Sequence, residues 1–298
     1  MSPSIPAQRR TDDDPLIAAA FAKLPMLGPV ARWKVTPLPG GIANRSWLLE
    51  ASGCKLVLRV PVAATAELGV DRASEHAVLL AAAGAGLAAP LIYFDVASGL
   101  MLAEFLAGRT WTRADTHDEL CVSRLAASLR RLHAVERPAA ARRLDYAELL
   151  ASYRRSLDTT HGLRSRASAA FDRDADLRLE TLRAERQPSV LCHNDVHRRN
   201  IVDGKLLWLI DWEYAAVGDG RYDLASFACY HELDAAERRF LLDSYDPANA
   251  KHLAQTFDLC CWLFDYMHLL WLELTAGGAA ERERLAVRLA HVAKVIGP

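Results

Sequence analysis

The feature that most constrains this chain is a polar loop set between two short apolar stretches. Residues 190–192 are apolar and lead into a loop that carries Asp195 and Asn200, and the apolar residues 206–210 end on Asp211. Short apolar runs bounded by polar residues are typical of buried strands. The sequence therefore predicts a β-hairpin that presents Asp195, Asn200 and Asp211 together at the edge of a cleft.

These three side chains suit phosphoryl transfer. A carboxylate at Asp195 would accept a hydrogen bond from an attacking hydroxyl and take its proton, while oxygen atoms of Asn200 and Asp211 would hold Mg²⁺ against nucleotide phosphates. The spacing H-x-D-x4-N, which begins at His193, matches the catalytic loop of kinases. We expect His193 to brace the loop by hydrogen bonding rather than to react.

Two other interpretations of the loop remain open. It can be a solvated connection between core strands that contains polar residues by chance. It can also be a metal site, since His193, Asp195 and His197 are residue types that bind zinc.

The composition gives no reason to expect nucleic acid or a membrane as a partner, and the N-terminus and the cysteines favour a cytoplasmic protein. The 298 residues include 36 basic and 37 acidic side chains, so no overall field would attract nucleic acid or a membrane. Residues 1–15 lack the apolar core of a signal peptide, and Gly84, Gly86 and Pro90 interrupt the uncharged stretch 77–94. The six cysteines form no CxxC pair, which favours buried thiols in a reducing compartment. We expect a monomer or homodimer.

The order of predicted elements divides the chain into three parts. Residues 1–14 are predicted to be a disordered tail, 15–105 a β-rich N-terminal lobe that binds nucleotide, and 106–298 a helical lobe that carries catalysis and substrate binding. Within the first lobe, Ser52-Gly53 predicts a tight turn, and residues 71–83 predict a helix capped by Asp71. Strands first and helices later imply a bilobal α+β protein.

The paired motif resembles that of a known superfamily. Cys192-His193-Asn194-Asp195, Asn200 and Leu209-Ile210-Asp211-Trp212-Glu213-Tyr214 are similar to the CHND…N…LIDWEY pattern of aminoglycoside phosphotransferases and choline kinases. The closest resemblance is to the choline, ethanolamine and thiamine kinase branch, and it extends from about Pro39 to Trp271. It implies a protein kinase-like fold, with a small nucleotide lobe and a larger helical lobe, and ATP and Mg²⁺ as cofactors.

The same resemblance implies a nucleotide site in the N-terminal half. Its residues are Gly40, Gly41, Asn44, Ser46, Arg59, Glu75, Glu104 and Leu106. The two glycines would let backbone N–H groups approach phosphates closely. Arg59 replaces the usual kinase lysine and can still hold phosphate oxygens, with Glu75 as its expected ion-pair partner. Glu104 and Leu106 fall where the family's backbone binds adenine.

The segment after Asp211 favours a small acceptor. No long activation segment follows, and residues 218–224 lead straight into a helix. A platform for peptide substrates is therefore missing. The resemblance implies that Asp223, at the start of that helix, braces the catalytic loop.

The predicted acceptor is a small cationic alcohol, with choline first and thiamine or ethanolamine next. Such cations are held by aromatic faces and carboxylates. The candidate substrate residues are Glu213, Tyr230, Glu232, Trp262, Tyr266 and Trp271, although an aromatic helix at this spacing is also typical of a core. Two alternatives remain: an aminoglycoside or sugar phosphotransferase of the same superfamily, and a kinase-like protein that binds nucleotide without catalysis.

Overall fold

A computed structural model of the protein describes residues 14–39, 44–62, 70–159, 164–185 and 187–296. Among these described residues, those up to 62 form one compact unit with residues 89–106, and residues 70–88 form another with those from 107 onwards. The sequence assigned residues 70–88 to the N-terminal lobe, whereas the structure groups them with the larger unit.

The predicted tail, residues 1–14, lies outside the described residues except for Asp14. The Asp14 side chain accepts a hydrogen bond from Leu16 N and caps the first helix, α1 (Pro15–Lys23).

The smaller unit is built on a five-stranded antiparallel sheet. Its strands are β1 (Lys34–Leu38), β2 (Asn44–Ala51), β3 (Cys54–Pro61), β4 (Leu91–Phe94) and β5 (Met101–Glu104), in the order β1-β2-β3-β5-β4. Trp47 lies opposite Leu58 and Leu49 opposite Leu56, and all four side chains are buried in one cluster with residues of α1. The apolar face of the sheet and one face of α1 therefore form the core of this unit.

The predicted turn at Ser52-Gly53 is confirmed. Both residues have positive φ angles, 46° and 81°, and they connect the paired residues Ala51 and Cys54. A two-residue turn with this backbone matches the twist of the strands it joins. It fixes the register of β2 against β3.

The larger unit is mainly helical. Its helices are α2 (Arg72–Gly84), α3 (Glu119–His133), α4 (Tyr146–Thr159), α5 (Arg166–Ala169), α6 (Asp172–Ala184), α7 (Arg221–Tyr230), α8 (Ala235–Tyr245), α9 (Ala250–Leu274) and α10 (Ala279–Ile296). The long α9 is buried over most of its length, and α4, α6, α7, α8 and α10 pack against it. As the sequence predicted, Asp71 caps α2. In the ranges described above, no helix is long and apolar enough to cross a membrane.

The short strands of this unit pair differently from the sequence prediction. They are β6 (Arg109–Thr110), β7 (Ser189–Cys192), β8 (Ile201–Asp203), β9 (Leu207–Leu209) and β10 (Ala216–Asp219). The strand before Asp195 was expected to pair with the strand before Asp211, and this was wrong. Instead, β7 pairs with β10, and β8 pairs with β9. The three-residue connection between β8 and β9 is short enough to make those two strands a local hairpin.

The core of the smaller unit gives a stability prediction. Leu58→Ala should lower the free energy of unfolding by about 2–5 kcal/mol, because Leu58 is fully buried and its loss leaves a cavity. Denaturant unfolding followed by circular dichroism would measure it. Ile92→Ala is the matched control in the same sheet, since Ile92 is 45% exposed, and it should change stability by no more than about 0.5 kcal/mol. Equal losses in the two variants would contradict the described core.

Candidate active site

The loop between β7 and β8 is held by one buried carboxylate. Asp223, in the first turn of α7, accepts hydrogen bonds from His193 N at 2.9 Å and from Asn194 N at 2.6 Å. His133 Nε2 lies 3.0 Å from the same carboxylate. Asn194 has a positive φ of 64°, a conformation that needs such support. Asp223 therefore braces the catalytic loop, as the sequence implied.

His193 makes a second set of loop contacts. Its Nε2 lies 2.9 Å from the carbonyl oxygen of Ile210, and its Nδ1 accepts a hydrogen bond from Asp195 N at 3.3 Å. Complete burial lowers the pKa of His193, so the ring is neutral at neutral pH. His193 connects the segment before Asp211 to the backbone of Asp195, which is a bracing role.

These contacts argue against a zinc site that includes His193. Both ring nitrogens of His193 are engaged with the backbone, so neither can ligate a metal without breaking the brace. Within the described residues, His133, Cys192 and Asp223 lie close enough together to hold an ion. Asp223, however, already uses its oxygens on the loop backbone and His133.

Asp195 is held between two hydrogen-bond donors. Tyr230 OH donates to Oδ1 at 3.0 Å, and Asn200 Nδ2 donates to Oδ2 at 3.0 Å. Burial raises the pKa of Asp195, and the neighbouring His193 and the two hydrogen bonds oppose that rise. His197 Nε2 lies 3.6 Å from Oδ2. The result is a fixed carboxylate with a greater affinity for a proton than an exposed aspartate.

Strand pairing brings Asn200 and Asp211 to the same end of the β8–β9 hairpin. Ile201 lies opposite Leu209, and Ile210 N donates to Asn200 O at 2.9 Å. Asp211 follows directly, with a positive φ of 64°.

The two side chains fit a magnesium ion. The Asn200 amide nitrogen donates to Asp195, so the atom that Asn200 can offer a cation is Oδ1. One amide oxygen and one carboxylate are the kind of donors that Mg²⁺ prefers. Asn200 and Asp211 would therefore hold the ion.

A cavity of about 290 Å³ opens beside Asp195 in the larger unit. Its wall is largely aromatic, formed by Tyr146, Tyr153, Tyr214, Tyr230, Phe264 and Trp271. Two predicted substrate residues, Tyr230 and Trp271, are among them. Trp271 Nε1 donates to Tyr214 OH at 3.1 Å, which fixes two of these rings against each other. The cavity can enclose a small organic molecule with a hydroxyl near Asp195.

Two aromatic residues predicted to contact substrate lie elsewhere. Trp262 is 1% exposed and donates from Nε1 to Leu289 O, and Tyr266 is 0% exposed and donates to Asp172. Neither lines the cavity. They are four residues apart and share one face of α9, and each lies two residues from Phe264, which places them on the opposite side of the helix from that ring. The structure therefore does not bring Trp262 and Tyr266 to the cavity beside Asp195.

The two predicted substrate carboxylates are engaged with arginines. Glu232 forms a surface ion pair with Arg284. Glu213 is buried, and one of its oxygens lies 3.7 Å from Arg72. Neither carboxylate lines the cavity. Glu213 does influence the site, since its charge contributes to the raised pKa of Asp195.

The residues predicted to hold nucleotide phosphates lie on β2 and β3. Gly40 and Gly41 fall outside the described residues. Asn44 begins β2, and Ser46 lies directly opposite Arg59 across the strand pair. The Arg59 guanidinium is buried, 5.8 Å from the centre of the Phe94 ring.

The remaining predicted nucleotide residues lie on other elements. Glu104 ends β5, where its N–H donates to Pro90 O, and Leu106 follows two residues later. Glu75 is buried on α2 and accepts a hydrogen bond from Arg72 at 2.6 Å. Its pairing with Arg59 stays a prediction.

Several cavity residues were not found from the sequence. Tyr146 and Tyr153 are seven residues apart on α4, which places them on one face, and Phe264 and His268 share a face of α9. This helical spacing could have identified these four residues from the sequence. Arg142 lies in the segment before α4, outside any motif, and no sequence pattern pointed to it.

Three comparisons relate the chain to known proteins. The model of a family described as the phosphotransferase enzyme family matches residues 34–255. Protein LicA of Haemophilus influenzae is 28% identical over 231 residues, which are 74% of this chain and 65% of that protein. The match thus spans slightly less than two thirds of that relative's length.

Two solved structures share the fold. Choline kinase LicA from Streptococcus pneumoniae superimposes with a TM-score of 0.79 at 18% identity, covering 94% of this chain and 99% of that one. A LicA structure in complex with AMP gives a TM-score of 0.71 at 19% identity, covering 93% and 97%. The α+β, protein kinase-like fold expected from the sequence is confirmed.

The loop brace gives the second prediction. Asp223→Ala should lower the free energy of unfolding by roughly 2–5 kcal/mol, because it leaves two buried backbone N–H groups without acceptors. Urea unfolding would measure the loss. Asp258→Ala removes a carboxylate that forms only a surface ion pair, with Arg238, and should cost at most about 1 kcal/mol. If Asp223→Ala lowered the free energy of unfolding no more than this control does, Asp223 would not be the brace.

Proposed function

Because the chain belongs to the phosphotransferase enzyme family, we propose that it transfers the terminal phosphoryl group of ATP to the hydroxyl of a small organic alcohol. The observation that carries this proposal is the position of Asp195. It lies beside a small cavity and is fixed by Tyr230 and Asn200. Asn200 directly precedes the β8–β9 hairpin, and Asp211 follows its end by two residues.

The proposed mechanism assigns Asp195 as the base. The acceptor hydroxyl donates a hydrogen bond to the Asp195 carboxylate, which aligns the oxygen with phosphorus and takes the proton as the new bond forms. Asn200 and Asp211 would hold a magnesium ion, which would neutralise charge on the nucleotide phosphates. Burial favours this role, because a base with a raised pKa takes the hydroxyl proton more readily.

We propose that the nucleotide is held by the residues that the family resemblance indicated. Backbone N–H groups at Gly40 and Gly41 would face its phosphates, and Arg59 would supply a fixed positive charge. Asn44, Ser46 and Glu75 would support these contacts. Backbone groups at Glu104 and Leu106 would bind adenine.

The aromatic wall supports a small acceptor with a cationic or flat apolar part. Choline is the first acceptor to test, followed by thiamine and ethanolamine, since quaternary ammonium groups bind aromatic faces. A polycationic aminoglycoside fits less well, because Asp195 is the one carboxylate among the described lining residues. A sugar remains an alternative acceptor. A cytoplasmic location and a monomeric or homodimeric state stay predictions of the sequence.

Asp195→Asn tests the proposed base. The variant should keep its affinity for ATP, since Asp195 is not among the proposed nucleotide residues, and should lose about 10²- to 10⁴-fold in kcat. A coupled assay of ADP release with choline, thiamine, ethanolamine, sugars and aminoglycosides would measure turnover. Asp176→Asn is the control, because Asp176 forms an exposed ion pair with Arg154.

Equal turnover by Asp195→Asn and wild type would rule out Asp195 as the base. If wild type released no Mg²⁺-dependent ADP with any acceptor, the alternative of a kinase-like protein that binds nucleotide without catalysis would be favoured.

Tyr230→Phe tests how the pKa of Asp195 is set. The hydroxyl of Tyr230 lowers that pKa, so its removal should raise it further. Since the base must be deprotonated, activity falls as the pH drops through this pKa. The acid limb of the kcat/KM profile should therefore move to higher pH in Tyr230→Phe. Tyr93→Phe, in the smaller unit, should leave the limb in place. An unshifted limb in Tyr230→Phe would contradict the role of this hydrogen bond.

A further inference from the structure

A positive charge also faces the aromatic cavity. Arg142, between α3 and α4, lines the same cavity as Asp195. Its backbone is fixed on both sides, because its N–H donates to Ser74 Oγ at 3.0 Å and its carbonyl oxygen accepts from Val217 N at 2.8 Å. The side chain therefore starts from a rigid position in the wall.

Among the described residues, no carboxylate forms an ion pair with the guanidinium of Arg142. Its Nε atom is buried and has no hydrogen-bond partner, while the residue as a whole is half-buried. Two comparable arginines are paired: Arg221 with Asp219 and Arg288 with Asp265. A buried cation without a partner is costly, and proteins rarely keep one without a reason.

The surroundings of Arg142 belong to the acceptor cavity. Burial lowers its pKa, and the groups that oppose this shift are Tyr153, Asp71, Tyr146 and Tyr214. The three tyrosines line the cavity, whereas Asp71 does not. Arginine nevertheless remains charged, because its pKa is far above neutrality. The guanidinium therefore presents a permanent positive charge among these three rings.

The other titratable groups of the cavity do not cancel this charge locally. Burial lowers the pKa values of His197 and His268 to about 4, so both rings are neutral at neutral pH. Asp195 is the one lining carboxylate in the described residues, and it is hydrogen-bonded to Tyr230 and Asn200. A purely cationic acceptor would meet Arg142 without compensation.

We propose that Arg142 is an anion subsite within the acceptor cavity, and that the phosphorylated alcohol carries a carboxylate or phosphate group in addition to its hydroxyl. This inference rests on the proposed function and narrows its substrate class. A guanidinium binds such groups through two parallel hydrogen bonds. An acceptor that also carries an ammonium group would place it against the aromatic wall.

Matched pairs of acceptors test the subsite. Ethanolamine and serine differ by one carboxylate, and glycerol and glycerol 3-phosphate differ by one phosphate. Carnitine differs from choline by a carboxymethyl group on the hydroxyl-bearing carbon. In wild type, the anionic member of at least one pair should have a kcat/KM about tenfold or more above its partner, the effect of a charge-assisted hydrogen bond. The pair that shows the preference distinguishes a carboxylate from a phosphate. A preference for the non-anionic member in every pair would overturn the proposal.

Arg142→Met should remove that preference while leaving the kcat/KM of neutral glycerol within about threefold, because it removes charge but keeps a long side chain. It should not lower the kcat/KM of ethanolamine or choline, since the positive charge that repels them is gone. Arg142→Lys should retain part of the preference for the anionic acceptor, because it keeps the positive charge. If Arg142→Met instead raised KM for ATP and left the acceptor preference intact, Arg142 would bind nucleotide phosphate, and the proposal would be wrong.

The melting temperature of the ligand-free protein gives an independent result. Removing an unpaired buried cation should raise it in Arg142→Met, whereas a structural role would lower it. The control is Arg143→Met, since Arg143 is exposed and does not line the cavity; its melting temperature should not change. A lower melting temperature in Arg142→Met would contradict the subsite.

The two assays separate the subsite from the proposed function. If wild type phosphorylated no acceptor but Arg142→Met melted higher, the proposed function would fail and the anion subsite would stand. Turnover of alcohols with an acceptor preference that Arg142→Met does not change would leave the function and overturn the subsite.

Discussion

The hydrogen bonds from the catalytic loop to Asp223 are the constraint on which the rest of the site depends. Two consecutive backbone N–H groups, of His193 and Asn194, donate to one buried carboxylate, and Asn194 adopts a positive φ there. The same carboxylate contacts His133 of α3. Strand β7, helix α3 and the start of α7 are thereby joined at one point. The loop can hold a strained backbone because this acceptor compensates for it.

From this anchor, each reacting group is placed by an identifiable element. Helix α7 starts at the brace and carries Tyr230 at its other end, where the hydroxyl reaches Asp195. The β8–β9 hairpin sets Asn200 and Asp211 next to each other. Opposing effects then tune the base: burial raises the pKa of Asp195, and the hydrogen bonds limit the rise. The arrangement suits a carboxylate that accepts a proton from a hydroxyl.

Local sequence signals were sufficient for the parts of this structure that depend on neighbouring residues. Motif spacing pointed to Asp195, the family resemblance pointed to its brace Asp223, and turn and capping residues located Ser52-Gly53 and Asp71. The pairing of β7 with β10 was missed, because partner choice depends on contacts distant in sequence. Helix α9 is apolar on every side, so its sequence could not tell which aromatic residues face the cavity. Arg142 was also missed, because it lines a cavity with Tyr146, Tyr153 and Tyr214 only once the chain has folded.

The central claim is that an alcohol oxygen, aligned by Asp195, attacks the terminal phosphorus of ATP. Incubation of the wild-type chain with ATP, Mg²⁺ and choline, ethanolamine or serine labelled with ¹⁸O in the hydroxyl, followed by ³¹P NMR, tests it most directly. The predicted product is a phosphate monoester with ¹⁸O in the bridging position. Inorganic phosphate as the sole product, or an ester without the label, would contradict transfer to the alcohol.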